Sequence, residues 1–142
     1  MILSFSKPEF KTRILIGVKL FTLRHDAGKR WQPGMKIHFW LHNPRTKKHH
    51  PDAHQFATGK CASVNDIDLS IQVYGLDNDT YPIPDDLIEH AMILIQYADG
   101  HIEQQLDDFA IADGFEDRKA FIKYWGIGNH KLRQIYFEHV QG

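Results

Sequence analysis

Apolar positions along the chain change period more than once, and the changes mark its elements. Ile2 to Ser6 reads as a short strand. Ser6-Lys7-Pro8-Glu9 then has the S-x-x-E spacing of a capping box, with proline early in the first turn. Phe10, Ile14 and Val18 mark one helical face, and Gly17 predicts the stop. Leu20 to Arg24 and Met35 to Leu41 read as strands, separated by the turn signals Gly28 and Pro33-Gly34. The polar run from His42 to Phe56 predicts a long loop, and Thr58 to Tyr74 alternates well enough for one long or broken strand. Asp77 to Asp86 is acidic and contains proline, which predicts a second loop. Ala91 to Tyr97 reads as a strand that turns at Ala98-Asp99-Gly100 toward a hairpin return over His101 to Gln105.

The period then lengthens. Leu106, Phe109, Ala110 and Asp113 fall at i, i+3, i+4 and i+7, one face of a helix that Gly114 stops. Asp117 to Trp125 predicts a second helix, with Phe121, Ile122 and Trp125 as its buried stripe, and Leu132 to Val140 a closing strand. A strand and helix, several strands, two helices and a last strand make an α+β chain without the βαβ rhythm of a parallel sheet.

Composition adds bounds. The chain has 142 residues, which fits one domain spanning 1–142, with 42% apolar and 25% charged residues. A single cysteine, Cys61, forms no internal disulfide and predicts a reducing, cytoplasmic setting. No stretch reads as a signal peptide or a membrane span, so no membrane partner is expected. The formal net charge of −1 excludes a protein that grips a duplex through many phosphates; any nucleic-acid contact must be local. Ten histidines make that charge sensitive to pH near 6.

The densest candidate chemistry lies in Ile14 to Arg24. Thr22 and Arg24 are two apart on a strand and project to one face, while Phe21 and Leu23 project to the other. Lys19, at the helix–strand junction, can swing over the Thr22/Arg24 face. Such a trio suits an anionic or carbonyl-bearing ligand; the plainer reading is a solvated strand face. Asp113, on the apolar face of its helix, reads either as a carboxylate poised for proton transfer beside Lys19 or as a cap on free amides.

Gly17-Val18-Lys19, Thr22-Leu23-Arg24, Arg30-Trp31, Pro33-Gly34-Met35-Lys36-Ile37 and Ala112-Asp113-Gly114-Phe115 occur in the order of the ASCH signature. The chain thus resembles the ASCH domain family, in particular its small bacterial members that deacetylate N4-acetylcytidine. The resemblance implies a PUA-like β-barrel of about five to seven mostly antiparallel strands. A short N-terminal helix and two helices before the last strand complete that fold, and the stretches near 42–57 and 75–90 stand as insertion-like loops. It implies RNA or a modified nucleoside as partner, bound through Lys19, Thr22, Arg24, Arg30 and Trp31. It also implies a catalytic set of Lys19, Thr22 and Asp113, with aspartate standing where the family's enzymes use glutamate. No cofactor and no metal site is expected.

Three functions therefore stand at this point: a domain that recognises RNA or a nucleoside, an amidohydrolase using the same cleft, and a protein-interaction domain with an inert cleft. Trp31 reads either as a stacking platform beside Lys29 and Arg30 or as a cap on the core. Trp125 reads as core, Trp40 is ambiguous, and Cys61 reads as a small buried residue. The histidine-rich loop, with His42, His49, His50 and His54 among Arg45, Lys47 and Lys48, reads as a solvated loop, a basic flap touching phosphates, or a zinc site on His50-x-x-x-His54.

Overall fold

The computed structural model describes residues 1–46, 50–78 and 80–142. Its elements run β1 (Ile2–Phe5), α1 (Pro8–Leu15), β2 (Phe21–Arg24), β3 (Lys36–Leu41), β4 (His54–Gln72), β5 (Met92–Tyr97), α2 (Leu106–Ala112), α3 (Arg118–Trp125) and β6 (Gly128–Gln141). Short 3-10 turns occupy Pro44–Thr46 and Asp85–His90. The α+β class and the three helices at their expected places agree with the sequence pattern.

The six strands form one sheet in the order β1-β3-β4-β6-β2, with β5 paired to β4 off that path. Every pairing is antiparallel except that of β1 with β3. Long β4 organises the sheet: its first part pairs with β3, its second with β5, and β6 runs along most of its length. Register shifts at Thr58/Lys60 and Cys61/Ser63 let so long a strand bend.

The expected closed barrel is not formed. The path has two ends, β1 and β2, and among the described residues no ladder joins them. What spans the gap is a side chain: Arg24 at the end of β2 donates from Nη2 to the Ser4 carbonyl of β1 at 2.7 Å. The opening at this edge becomes the cleft described below.

One hydrophobic cluster draws on every element, from Leu3 and Phe10 through Phe21, Ile37, Leu69, Ile95, Phe109 and Phe121 to Ile135. In β4 the period of two is plain, with Ile67, Leu69 and Ile71 buried and Asp66 and Asp68 exposed. Trp31 belongs to this core and is 3% exposed. Its indole is therefore not a surface platform for a base, and the core-cap reading describes its position.

Several boundaries differ from the pattern. The N-cap of α1 is Lys7, with no side-chain cap hydrogen bond, so Ser6 does not form the expected capping box; Pro8 does open the helix. β4 begins at His54, inside the polar run taken as loop, because β3 pairs with it. β6 begins at Gly128, ahead of its first alternating apolar residue, because Gly128 to Lys131 pair with Asp68 to Ile71 of β4. The return after β5 is one isolated bridge, Gln96 with Ile102. No helix among the described residues is long and apolar enough to cross a membrane.

Candidate functional site

The cleft begins with two helix ends. In α1 the Gly17 amide donates to Ile14 (3.2 Å) and the Val18 amide to Arg13 (2.9 Å). In α2 the Gly114 amide donates to Ile111 (2.9 Å) and the Phe115 amide to Ala110 (3.0 Å). Both are Schellman endings, with glycines at φ +80° and +96° in the left-handed conformation the motif requires. The two ends are stitched together: the Leu20 amide donates to the Ala112 carbonyl at 2.7 Å, and Arg13 Nη1 donates to the Gly114 carbonyl.

This stitch lays Lys19 across Gly114. A Cβ on Gly114 would lie 2.7 Å from Lys19 Cδ and 3.0 Å from Phe10 Cδ1, so only glycine admits the lysine stem. Lys19 Nζ then donates to Asp113 Oδ1 at 2.9 Å and also to the Asp113 carbonyl. Both side chains are buried. Asp113 is the C-cap of α2, and its carboxylate meets the ammonium rather than free amides.

Burial pushes the Asp113 carboxyl up to about 6, while the charge and hydrogen bond of Lys19 pull it down. Burial likewise draws the Lys19 ammonium below its usual value, against the pull of Asp113. Burial thus works against the charged form of both partners, and their mutual attraction and hydrogen bond work for it.

Around this pair lies a cleft of about 370 Å³ lined by residues that include Ser4, Phe5, Phe10, Thr22, Arg24, His42, His50, Phe115, Tyr124 and Trp125. It opens between β1 and β2, the two ends of the sheet path. Thr22 and Arg24 share a face as their spacing predicts, with Arg24 Nε donating to Thr22 Oγ1 at 3.3 Å. Thr22 is buried, so this is not a solvated strand face. No hydrogen bond joins Thr22 to Lys19 or Asp113 among the described residues.

The walls are aromatic and the charges over them are positive. Lys19 Nζ lies 4.8 Å from the centre of the Phe10 ring and Arg24 Cζ 4.9 Å from that of Phe5. Lys7 Nζ lies 5.3 Å from the Tyr124 ring and 5.7 Å from those of Phe10 and Phe115. The Trp125 indole N–H is buried without a hydrogen-bond partner among the described residues. Such an arrangement accepts a planar ligand that carries acceptors for Lys19 and Arg24 and a donor for Asp113. With Asp113 as the one carboxylate among the described lining residues, the lining also favours a ligand with negative charge.

Compared with known proteins, the chain matches no family model, no curated protein and no solved structure.

Of the residues singled out from sequence, Lys19, Thr22, Arg24 and Asp113 share this cleft. Arg30 and Trp31 do not. They line a neighbouring cavity of about 400 Å³ with Arg45, which meets the first at Ser4 and Asn43. His42 and His50 do line the cleft, their rings stacked 3.3 Å apart at 16°. Desolvation, and then His50, draws the His42 pKa down. His54 is engaged elsewhere, 3.0 Å from Lys11 Nζ, so the His50-x-x-x-His54 pair is divided. Among the described residues no three His, Cys, Asp or Glu side chains are placed to hold a metal ion. His49, Lys47 and Lys48 of that loop, and Asp79 of the acidic run, lie outside the described residues.

Sequence reasoning missed Phe10, Phe115 and Tyr124 as cleft residues. Tyr124 carried a signal: it is an aromatic residue off the buried stripe of α3. The others carried none, because their rings also belong to the core. Trp125, read as core, is only partly buried and forms cleft wall as well.

Proposed function

We propose that the chain is an ASCH-type, PUA-like domain whose cleft recognises RNA or a modified nucleoside. The observation that carries this reading is the convergence of Lys19, Thr22, Arg24 and Asp113 in one aromatic-walled cleft. A nucleobase fits that chemistry. Its ring stacks on Tyr124, its carbonyl accepts from Arg24 or Lys19, and its exocyclic amine donates to Asp113, as carboxylates accept from cytosine N4. The adjoining cavity with Arg30 and Arg45 suits a phosphate. The free thiol of Cys61 supports a reducing, cytoplasmic setting.

Calorimetric titration with cytidine, N4-acetylcytidine and a short single-stranded RNA tests the reading. Saturable heat is expected with at least one of them, weakened about tenfold or more in Lys19→Met and Arg24→Gln. No heat with any of the three would overturn it.

The direct Lys19–Asp113 contact favours a second reading, an amidohydrolase. Lys19, as free amine, takes a proton from water or from Thr22 and hands it to Asp113, and the resulting oxygen attacks the N-acyl carbonyl; in the Thr22 route a water that Lys19 deprotonates then hydrolyses the acyl-threonine ester. Asp113 passes a proton to the departing amine nitrogen as the C–N bond breaks, and Arg24 stabilises the oxyanion. The products are the carboxylic acid and the free nucleoside. Release of cytidine from N4-acetylcytidine, followed by chromatography, tests this reading. Turnover that disappears in Lys19→Ala would establish it; binding without turnover would leave the recognition reading alone.

A further inference from the structure

The cavity beside the cleft is set apart by its charges. Arg30 and Arg45 line it from two different loops, and no carboxylate lines it among the described residues. Arg30 donates from its amide and from Nε to Asp26 Oδ1, at 3.1 and 3.4 Å, and its two terminal nitrogens meet no partner among the described residues. Asp26 does not neutralise it alone. Arg133 shares that carboxylate, and Asp66 is shared by Arg133 and Lys29, so three cations stand against two carboxylates. Arg45 lies in the 3-10 turn Pro44–Thr46, where its amide donates to Asn43 Oδ1 at 2.9 Å. Its guanidinium has no hydrogen bond or ion pair among the described residues.

A third cavity, of about 440 Å³, shows the contrast. Asp26, Asp66 and Asp68 line it together with Lys29, Lys131 and Arg133, and these charges cancel. Two guanidiniums on one cavity without a carboxylate repel each other, and an anion relieves that repulsion. Their planar forks match the oxygens of a phosphate. Ser4 and Asn43 line both this cavity and the cleft, so one ligand can reach from the Lys19–Asp113 pair to the two arginines.

We infer that the ligand is a nucleotide rather than a free nucleoside. Its base enters the cleft, its sugar crosses at Ser4 and Asn43, and its phosphate takes the terminal nitrogens of Arg30 and the guanidinium of Arg45. The inference rests on the base-in-cleft reading and adds the class of ligand to it. The phosphate is the ester of a mononucleotide or the bridge of an RNA strand, which present the same anionic oxygens. Both arginines are exposed, so the contact weakens as salt rises.

Calorimetric titration with cytidine, its 5′- and 3′-monophosphates, a cytidine trinucleotide and inorganic phosphate tests the inference. At least one phosphorylated form is expected to bind about tenfold more tightly than cytidine, with a gain that shrinks as salt rises. In Arg45→Gln that ratio is expected to fall about threefold or more. Arg45 is the residue to change because its guanidinium holds nothing else, whereas Arg30 also serves Asp26. Lys131→Gln removes the same charge from the balanced cavity and is expected to keep the ratio. A gain with a monophosphate assigns a mononucleotide, and a gain with the trinucleotide alone assigns an internal residue of a strand. Equal affinity for cytidine and every phosphorylated form overturns the inference and leaves the base reading standing. A gain that survives in Arg45→Gln, or that Lys131→Gln lowers equally, overturns it as well. If inorganic phosphate alone binds, and Arg45→Gln abolishes that binding, the base reading falls while the anion site stands. No binding by any of these compounds overturns both.

Discussion

Asp26 and Asp113 are both buried carboxylates beside a cation, yet they lie at opposite ends of the carboxylate range. Desolvation raises both. At Asp26 it is outweighed by the amides of Trp31 and Arg30 and by Arg133 and Arg30, which hold the carboxyl at about 2. Its Oδ1 accepts from the Arg30 amide (3.1 Å) and Nε (3.4 Å), and its Oδ2 from the Trp31 amide (3.0 Å) and Arg133 Nη1 (2.9 Å). Asp113 has Lys19 Nζ as its donor, and burial wins, taking it to about 6. The difference teaches what each is for. A carboxylate saturated by backbone amides is a structural clamp, here fastening the loop that seats Trp31. One with a single side-chain donor keeps lone pairs for a ligand and a proton within reach of neutral pH.

Substitution of Asp26 tests the clamp most severely. Asp26→Ala takes from Arg133 its buried carboxylate, leaving it the Trp31 carbonyl and the exposed Asp66, deprives two amides of their acceptors, and is expected to cost about 3 kcal/mol or more in urea unfolding. Gly114→Ala comes next. It forces a Cβ into the left-handed region and onto the Lys19 stem, at a cost of about 2 kcal/mol, and ligand binding should fall with it. Gly114→Ala with both stability and binding intact would show that Lys19 need not lie across the helix end.

The pH dependence separates the two carboxylates by sign. Asp26 is held below its ordinary value of 3.8, so its contribution is present above pH 4 and is lost as pH falls toward 2. The amount is about 2 kcal/mol. Asp113 is raised from 3.8 to about 6, so the folded chain takes up a proton that the unfolded chain does not. Its term therefore favours folding as pH falls through 6 toward 4 and is lost as pH rises back through 6. Unfolding free energies of wild type, Asp26→Asn and Asp113→Asn across pH 3 to 7 should resolve the two opposed slopes. A wild-type profile unchanged by Asp113→Asn between pH 4 and 6 would contradict the raised value.

The smallest effect is expected where the pair is replaced as a whole. Lys19→Met with Asp113→Leu exchanges an ion pair for apolar groups of similar size and should leave stability within about 1 kcal/mol of wild type. Ligand binding should be lost in the same protein. A large loss of stability would move the Lys19–Asp113 pair into the same class as Asp26.

Much of the cleft was legible because it depends on local rules. Strand parity puts Thr22 and Arg24 on one face, the glycine stop places Lys19 just past α1, and helix periodicity turns Asp113 inward. What was not legible depends on partners distant in sequence. Asp26 sits in an unremarkable polar turn, and its role appears only when Arg133 arrives from β6. Trp31 looks like a surface residue until the same turn folds it under. The early starts of β4 and β6 come from their partners, since His54 and Gly128 have no strand pattern of their own. Openness between β1 and β2 has no sequence signature, because local patterning sets which strands form and not whether the last meets the first.

The Lys19–Asp113 contact joins residues 94 positions apart. During synthesis α1 and β2 emerge long before α2, so Lys19 spends that interval as an ordinary solvated ammonium. The cleft is complete only when α2 docks on the end of α1. On the proposed reading, ligand binding is therefore a late reporter of maturation: a chain that has formed its early helix and strands but not this docking would carry the cations of the cleft without the carboxylate that completes it.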